Sequence, residues 1–109
     1  MEEIENIFRD SSTGLSGELV DTILRGGKID RLERAISPES GNPSRVYDQE
    51  EDEFVMVVRG YAEVEFEENG RKEIKKMVDG DYTTIPAHLK HRVVKTDEGT
   101  TWLALFYKK

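Results

Sequence analysis

Residues 53–70 of the chain read EFVMVVRGYAEVEFEENG, and their pattern sets the fold class. The run FVMVV is apolar at every position, which is typical of a strand covered on both faces. After the first glycine, apolar residues alternate with glutamates (AEVEFE), which is the period of a strand with one buried face. Asn69-Gly70 is a strong hairpin signal, because both residues tolerate positive φ. The pattern predicts two strands here and a third, over residues 71–78, that returns through the hairpin.

Further strands recur about every ten residues along the chain. A Gly-Gly pair at 26–27 separates two runs that suggest a hairpin, although the first run also fits a short helix. Besides those above, the predicted strands are 18–25, 28–37, 82–85, 91–96 and 101–107, with a loop at 37–45. No stretch after residue 37 has the length and period of a helix. The spacing predicts an all-β antiparallel sandwich or barrel.

The composition excludes several classes of partner and site. The chain has 109 residues, enough for one domain with one core. Its formal charge is −7, and its Lys and Arg residues are interspersed with acids, so we expect no nucleic-acid partner. The absence of cysteine excludes disulfides and thiolate zinc sites. The longest apolar run is too short to span a bilayer and the acidic start does not resemble a signal peptide, so we expect a cytoplasmic protein with no membrane partner.

Two parts are predicted along the chain: a lead-in over residues 1–17 and a β-barrel domain over residues 18–109. In the lead-in, Ile4, Ile7 and Phe8 have helical spacing and are followed by a stretch of loop composition. We expect this segment to pack its apolar residues against the barrel or against a dimer surface.

The only two histidines are His88 and His91, in the stretch Pro86-Ala-His-Leu-Lys-His. Histidine is the commonest metal ligand and the usual proton shuttle near neutral pH. Strand alternation cannot place both on one face, but a kink after Pro86 would leave His88 in a loop and start a strand at His91. On residue type alone, a surface histidine and a packed histidine explain the pair better than a site does.

The spacing around Glu53 resembles the first sequence motif of the cupin family. In that motif a glutamate is followed, after six residues, by a glycine, and Glu53 and Gly60 keep this spacing. The family's His-x-His falls on Tyr47 and Gln49, so that half of the motif does not match. The glycine that opens the motif corresponds to Gly41.

The stretch that holds the histidines is similar to the second cupin motif. Gly80, Pro86 and His91 match the Gly, Pro and His of that motif at the family's spacing. His88 stands where the family has glycine, and Lys95 stands where it has asparagine. The surrounding residues look like those of a branch of small bacterial and archaeal cupins.

The cupin resemblance, which covers about residues 28–107, implies a jelly-roll barrel (a double-stranded β-helix) of six to eight strands. It also implies a divalent metal ion such as Zn, Fe, Mn or Ni, held in the family by three His and one Glu. Of these four ligands only Glu53 and His91 are carried over. Gln49 offers an amide oxygen, and His88 could replace a missing ligand, but such a set would bind metal more weakly. Because family members often pair, the resemblance implies a homodimer.

A metal-free arrangement is an open alternative, because His91 and Lys95 share a strand face by alternation. A Lys95 ammonium beside Glu53 would form a buried ion pair, since an unpaired buried charge is costly. The barrel would then bind a small polar molecule, with Tyr47 and Lys95 in the substrate pocket. It could also be a dimeric structural scaffold with a pocket plugged by aromatic side chains such as Tyr82. No residue is assigned a catalytic role, and the sequence leaves open whether the protein is an enzyme.

Two further expectations concern single faces of strands. Trp102, Ala104 and Phe106 alternate along the last strand, and we expect them to form core or a dimer face rather than a ligand wall. Arg34 would reach the barrel interior only if its apolar neighbours two positions away do. We expect an exposed Arg34.

Overall fold

A computed structural model describes residues 19–26, 28–39 and 45–108, and these form eight β-strands. The bounds are β1 Leu19–Gly26, β2 Ile29–Ser37, β3 Asp52–Arg59, β4 Tyr61–Glu68, β5 Arg71–Val78, β6 Tyr82–Ile85, β7 Lys90–Thr96 and β8 Thr100–Tyr107. The predicted all-β fold is confirmed. Within the described residues no helix is long and apolar enough to cross a membrane. The predicted lead-in and Gly41 lie outside the described residues.

Two antiparallel sheets face each other as the walls of the barrel. The larger sheet has the order β1-β2-β8-β3-β6, and the smaller has the order β5-β4-β7. The chain passes from one sheet to the other between β3 and β4, between β5 and β6, and again on either side of β7. This alternation between two packed sheets is the jelly-roll arrangement, so the predicted architecture is confirmed.

The first hairpin is present, and its first run is a strand rather than the alternative helix. β1 pairs with β2 from Leu19↔Ile36 to Gly26↔Ile29. β2 lies between β1 and β8, and its Arg34 is only 7% exposed. The expectation of an exposed Arg34 is therefore wrong, since it lies on a central strand with paired residues on both sides, Asp21 of β1 and Leu103 of β8.

The connections on either side of β4 depend on residues with positive φ. Asn69 and Gly70, with φ of 53° and 78°, form the predicted turn into β5. Gly60, with φ of 123°, joins β3 to β4 where the chain changes sheets. A Cβ atom on Gly60 would lie 2.5 Å from Oγ1 of Thr100, so both the backbone and the packing require glycine.

The core lies between the sheets, and at one end of the barrel it is bordered by hydrogen-bonded polar residues. Its buried members are Val55, Val57, Ala62, Val64, Met77, Ile85, Trp102, Ala104 and Phe106. The alternate residues of β8 are therefore core, as expected, but they also line the cavity between the sheets, so the expectation that they form no ligand wall is wrong. Next to them, Trp102 Nε1 donates to Ser37 Oγ at 2.9 Å, and the Thr96 hydroxyl donates to the Pro38 carbonyl. We call Ser37, Gly60, Thr96 and Thr100 the closed end of the barrel.

Candidate functional site

A cavity of about 120 Å³ opens between the sheets, away from the closed end. There Glu53 of β3 pairs with Phe106 of β8, and His91 of β7 pairs with Phe66 of β4. Most of the lining is apolar, and its polar members are Glu33, Tyr47, Gln49, Glu53 and His91. A mostly apolar cavity with a few convergent polar groups is typical of a small-molecule site. We call Gln49, Glu53 and His91, with the cavity beside them, the open end.

Glu53 is buried in the larger sheet with its side chain toward the cavity. β3 is paired on both sides, with β6 and β8, and Glu53 as a whole residue is only 7% exposed. Gln49 Nε2 donates to Glu53 Oε1 at 2.9 Å. Among the described residues, no hydrogen bond is made to Oε2 of Glu53, which leaves that oxygen as an acceptor for a bound molecule.

Burial raises the pKa of the Glu53 carboxyl to about 7. The hydrogen bond from Gln49 lowers this pKa, the charges of Glu33 and Glu51 raise it, and the charge of Arg31 lowers it. Burial is the largest of these effects, because the apolar walls solvate a carboxylate poorly. Glu53 therefore exchanges its proton near neutral pH.

His91 is held in one orientation by its backbone and its ring. The backbone N–H of His91 donates to the Tyr47 carbonyl at 3.1 Å, and the backbone N–H of Tyr47 donates to the His91 carbonyl at 2.7 Å. The imidazole stacks on the Tyr47 ring with centroids 5.4 Å apart, and the Phe66 ring lies at 6.1 Å. Nδ1 lies 2.8 Å from the carbonyl of Leu89. Because a carbonyl only accepts, Nδ1 carries the proton and Nε2 presents a lone pair in the neutral ring.

Burial lowers the pKa of His91, and the hydrogen bond to the Leu89 carbonyl opposes this effect. Its Nε2 lies 3.7 Å from Glu53 Oε1, which is too far for a direct hydrogen bond. A neutral imidazole and a carboxyl that titrates near neutrality therefore face one another across a gap. This pair can accept a proton from one atom of a bound molecule and return one to another.

His88 is not part of the open end, although we predicted it as a possible metal ligand. It lies in the turn before β7 with φ of 65°, and its N–H donates to the carbonyl of Gln49 at 2.8 Å. Its Nδ1 lies 2.9 Å from Oδ1 of Asp48, and its side chain is 65% exposed. The positive φ explains why this position matches a glycine in the cupin motif.

Lys95 is separated from the cavity by a β-bulge in β7. The register of β4 with β7 shifts between Glu63 and Val64, so β7 has one extra residue between His91 and Lys95. The bulge reverses the alternation, and the exposed Lys95 places Nζ 5.8 Å from the centre of the Tyr61 ring. The predicted shared face and the ion pair with the buried glutamate are therefore wrong, and Lys95 does not line the cavity.

The sequence interpretation missed Glu33, which lines the cavity, and Arg31, which holds it. Arg31 Nε donates to Glu33 Oε2 at 3.0 Å, and Nη1 donates to Glu51 Oε2 at 2.8 Å and also to Asp30. The guanidinium carbon lies 3.9 Å from the centre of the Phe106 ring. The signal was the alternation of β2, which places positions 31, 33 and 35 on one face.

The open end offers few ligands for a metal ion. Among the described residues, no group of three or more His, Cys, Asp or Glu side chains is arranged to hold one. Of the predicted set, Glu53 and His91 face each other, His88 is elsewhere, and Gln49 turns its amide nitrogen toward the carboxylate. An amide N–H is a donor and not a ligand, so a divalent ion would have one carboxylate and one imidazole.

Solved structures with a similar fold are known. No protein-family model and no curated protein matches the chain. A candidate mannose-6-phosphate isomerase from Ralstonia eutropha JMP134 is 35% identical, with a TM-score of 0.80 over 99% of this chain and all of its own. A cupin superfamily protein from Desulfitobacterium hafniense is 13% identical, with a TM-score of 0.72 over 91% of this chain and 84% of its own.

A third similar structure contains a metal ion. It is HEPD from Streptomyces albus, with Fe(II) and its substrate 2-hydroxyethylphosphonate bound. HEPD is 12% identical, with a TM-score of 0.64 over 72% of this chain and 18% of its own. The fold therefore occurs in proteins that bind divalent metal and small molecules.

Proposed function

This chain belongs to the cupin family, and on that premise we propose that it binds a small polar molecule inside its barrel, at the open end. The observation that supports this proposal is the convergence of Glu53 and His91, from two different sheets, on one largely apolar cavity. Two largely buried side chains whose acceptor atoms are still accessible from the cavity are typical of a binding site.

We propose further that the barrel holds its ligand without a resident metal ion. Among the described residues the Glu33 carboxylate is bonded to Arg31, so one imidazole and one carboxylate remain, and these would leave most coordination positions of a divalent ion to water, which gives weak binding. The residues present therefore do not fit the divalent ion that the family resemblance implies. Fe(II) in HEPD is a property of that distant relative.

The two polar side chains would contact the ligand in different ways. His91 would accept a hydrogen bond at Nε2, since its Nδ1 proton is directed to the Leu89 carbonyl. Glu53 would accept when ionised and donate when protonated, and a pKa of about 7 gives access to both forms. An isomerisation or another reaction that moves a proton within the ligand is compatible with this pair.

An open cavity also argues against the scaffold alternative. Tyr82 is 67% exposed, and its ring packs on Phe54 at 5.4 Å. Neither ring lines the cavity, so neither plugs it. Tyr47 lines the cavity, but its ring is stacked against His91.

The test uses Trp102, which is the only tryptophan and lines the cavity. We expect members of a panel of small polar molecules to shift the Trp102 indole resonance saturably in a ¹H–¹⁵N spectrum, with and without EDTA. Glu53→Gln and His91→Asn should weaken these shifts, whereas Glu98→Gln in an exposed turn should not. Elemental analysis after incubation with Zn, Fe, Mn or Ni should find well below one ion per chain.

Two results would contradict this proposal. Shifts confined to residues outside the cavity would place binding elsewhere. Binding that EDTA abolishes and that one metal restores at one ion per chain would reinstate the metal site.

A further inference from the structure

The described lining of the open end is rich in hydrogen-bond acceptors and includes no cationic side chain. Among the described residues, the cavity is lined by the carboxylates of Glu33 and Glu53 and by Nε2 of His91, and by no Lys or Arg. The Gln49 amide is a donor at this site, and it is already bonded to Glu53. Glu53 Oε2 belongs to a side chain that is only 9% exposed, and no described residue donates to it. An incoming group must therefore supply the donors.

The nearby Arg31 does not convert this end into an anion site. Its guanidinium is already hydrogen-bonded to Glu33, Glu51 and Asp30, and it does not line the cavity. Three carboxylates around one guanidinium leave a net negative charge. A phosphate or carboxylate ligand would meet repulsion here, because such groups are normally bound by Arg or Lys with free donors.

The walls of the cavity are suited to a cation with an apolar part. Aromatic rings of Tyr47, Phe66, Trp102 and Phe106 line it together with aliphatic side chains. Cations already lie over two of these rings: the guanidinium carbons of Arg31 and Arg45 are 3.9 Å and 4.9 Å from the ring centres of Phe106 and Tyr47. The faces of such rings attract ammonium groups, and the effect is larger where water is excluded. Building on the proposed binding function, we infer that the ligand is a small organic ammonium cation, with its nitrogen at Glu53 and its carbon chain against the rings.

The cavity limits how much of the cation fits inside. Its volume of about 120 Å³ is somewhat below the roughly 150 Å³ of an engineered cavity that holds benzene. A primary amine with about four carbons is therefore a suitable probe. A longer amine would have to extend through the mouth.

Three probes of nearly equal size separate charge from shape: n-butylammonium, 1-butanol and butyrate. Titrations followed by the Trp102 indole resonance are run at about pH 8.5, where an aliphatic amine with a pKa of about 10.4 is still charged. We expect n-butylammonium to bind roughly tenfold or more tightly than 1-butanol, and butyrate to bind weakest of the three.

Two variants locate the effect. Glu53→Gln should reduce n-butylammonium affinity roughly tenfold while leaving 1-butanol affinity within about twofold, because only the cation uses the carboxylate charge. Glu98→Gln removes the same charge from an exposed turn and should change neither affinity. Thermal unfolding of both variants shows whether each is folded.

The outcomes separate the two proposals. Equal binding of n-butylammonium and 1-butanol, or tightest binding of butyrate, would overturn the cation inference and leave the binding function standing. A preference for n-butylammonium that survives Glu53→Gln would also overturn it. Failure of all three probes and of the wider panel to shift Trp102 would overturn both.

Discussion

The two ends of the barrel treat buried polar groups in opposite ways. At the closed end, the Thr100 hydroxyl lies 2.8 Å from the carbonyl of Asp97 and 3.0 Å from that of Tyr61, and it accepts from the Tyr61 N–H at 3.2 Å. At the open end, Glu53 Oε2 and His91 Nε2 have no hydrogen-bond partner among the described residues. Changes at the closed end should therefore lower the free energy of unfolding, whereas neutralising the open end should raise it and impair binding.

The largest loss of stability is expected from Gly60→Ala at the closed end. The new Cβ would lie 2.5 Å from Thr100 Oγ1, and φ of 123° is unfavourable for alanine. We expect a loss of about 3 kcal/mol or more, from strain and overpacking together. Urea unfolding followed by Trp102 fluorescence measures it.

Gly70→Ala is the matched control, because it has φ of 78° and nothing within 4 Å of the new Cβ. It should cost about 1 kcal/mol, from the backbone alone. Equal losses in the two variants would show that the closed end is not tightly packed around Gly60.

Glu53→Gln at the open end should increase stability in a pH-dependent way. The pKa of this carboxyl is about 7 in the folded state and 4.5 at its ordinary value, so the folded state holds its proton more tightly. The protonated Glu53 carboxyl contributes fully to the free energy of unfolding below pH 4.5, and this contribution is lost as the pH rises to about 7. At pH 8 the variant avoids this loss and should be more stable by about 2 kcal/mol.

Urea unfolding at pH 4.5 and pH 8 tests the sign, and the gain should nearly vanish at the lower pH. Glu98→Gln, in an exposed turn, should show no such dependence. A gain of equal size at both pH values would mean that the effect of the substitution is packing and not charge.

A smaller loss is expected from Thr100→Val, which keeps the shape and removes the hydroxyl. Thr100 is fully buried, so the Tyr61 N–H would lose its hydroxyl partner. We expect a loss of about 1–2 kcal/mol. Thr84→Val on the exposed face of β6 is the control and should be close to neutral, and a loss as large there would contradict the polar network of the closed end.

The strands were predictable because their signals are local. Alternation along β4 and the Asn69-Gly70 turn depend only on neighbouring residues. The meeting of Glu53 and His91 at one cavity was predicted from the spacing of the cupin motifs, because the resemblance implies that these two positions face each other inside the barrel. The face of β2 that lines the cavity was not predicted, because Leu32 and Ile36 are more apolar than Glu33 and Ala35, yet Glu33 and Ala35 line the cavity.

The position of Lys95 could not be predicted, because the bulge in β7 leaves no local signal. One extra residue reverses every side chain beyond it, and the bulge appears only in the pairing with β4. The departure from the ligand histidines of the cupin motif was visible in the sequence at Tyr47 and Gln49. The position of the His88 side chain outside the cavity could not be predicted, since it depends on the positive φ of the backbone at that residue.

The smallest effect is expected at His88, which lies outside the cavity. Its φ of 65° is unfavourable for a residue with a Cβ, and its contact with Asp48 is exposed. His88→Gly should therefore be more stable than His88→Ala by about 1 kcal/mol, since both lack the imidazole and only glycine relieves the backbone. Thermal unfolding compares the two variants, and titration of each with a ligand of the cavity should give the wild-type affinity. A loss of affinity in both variants would show that His88 contributes to the site and would contradict its position outside the open end.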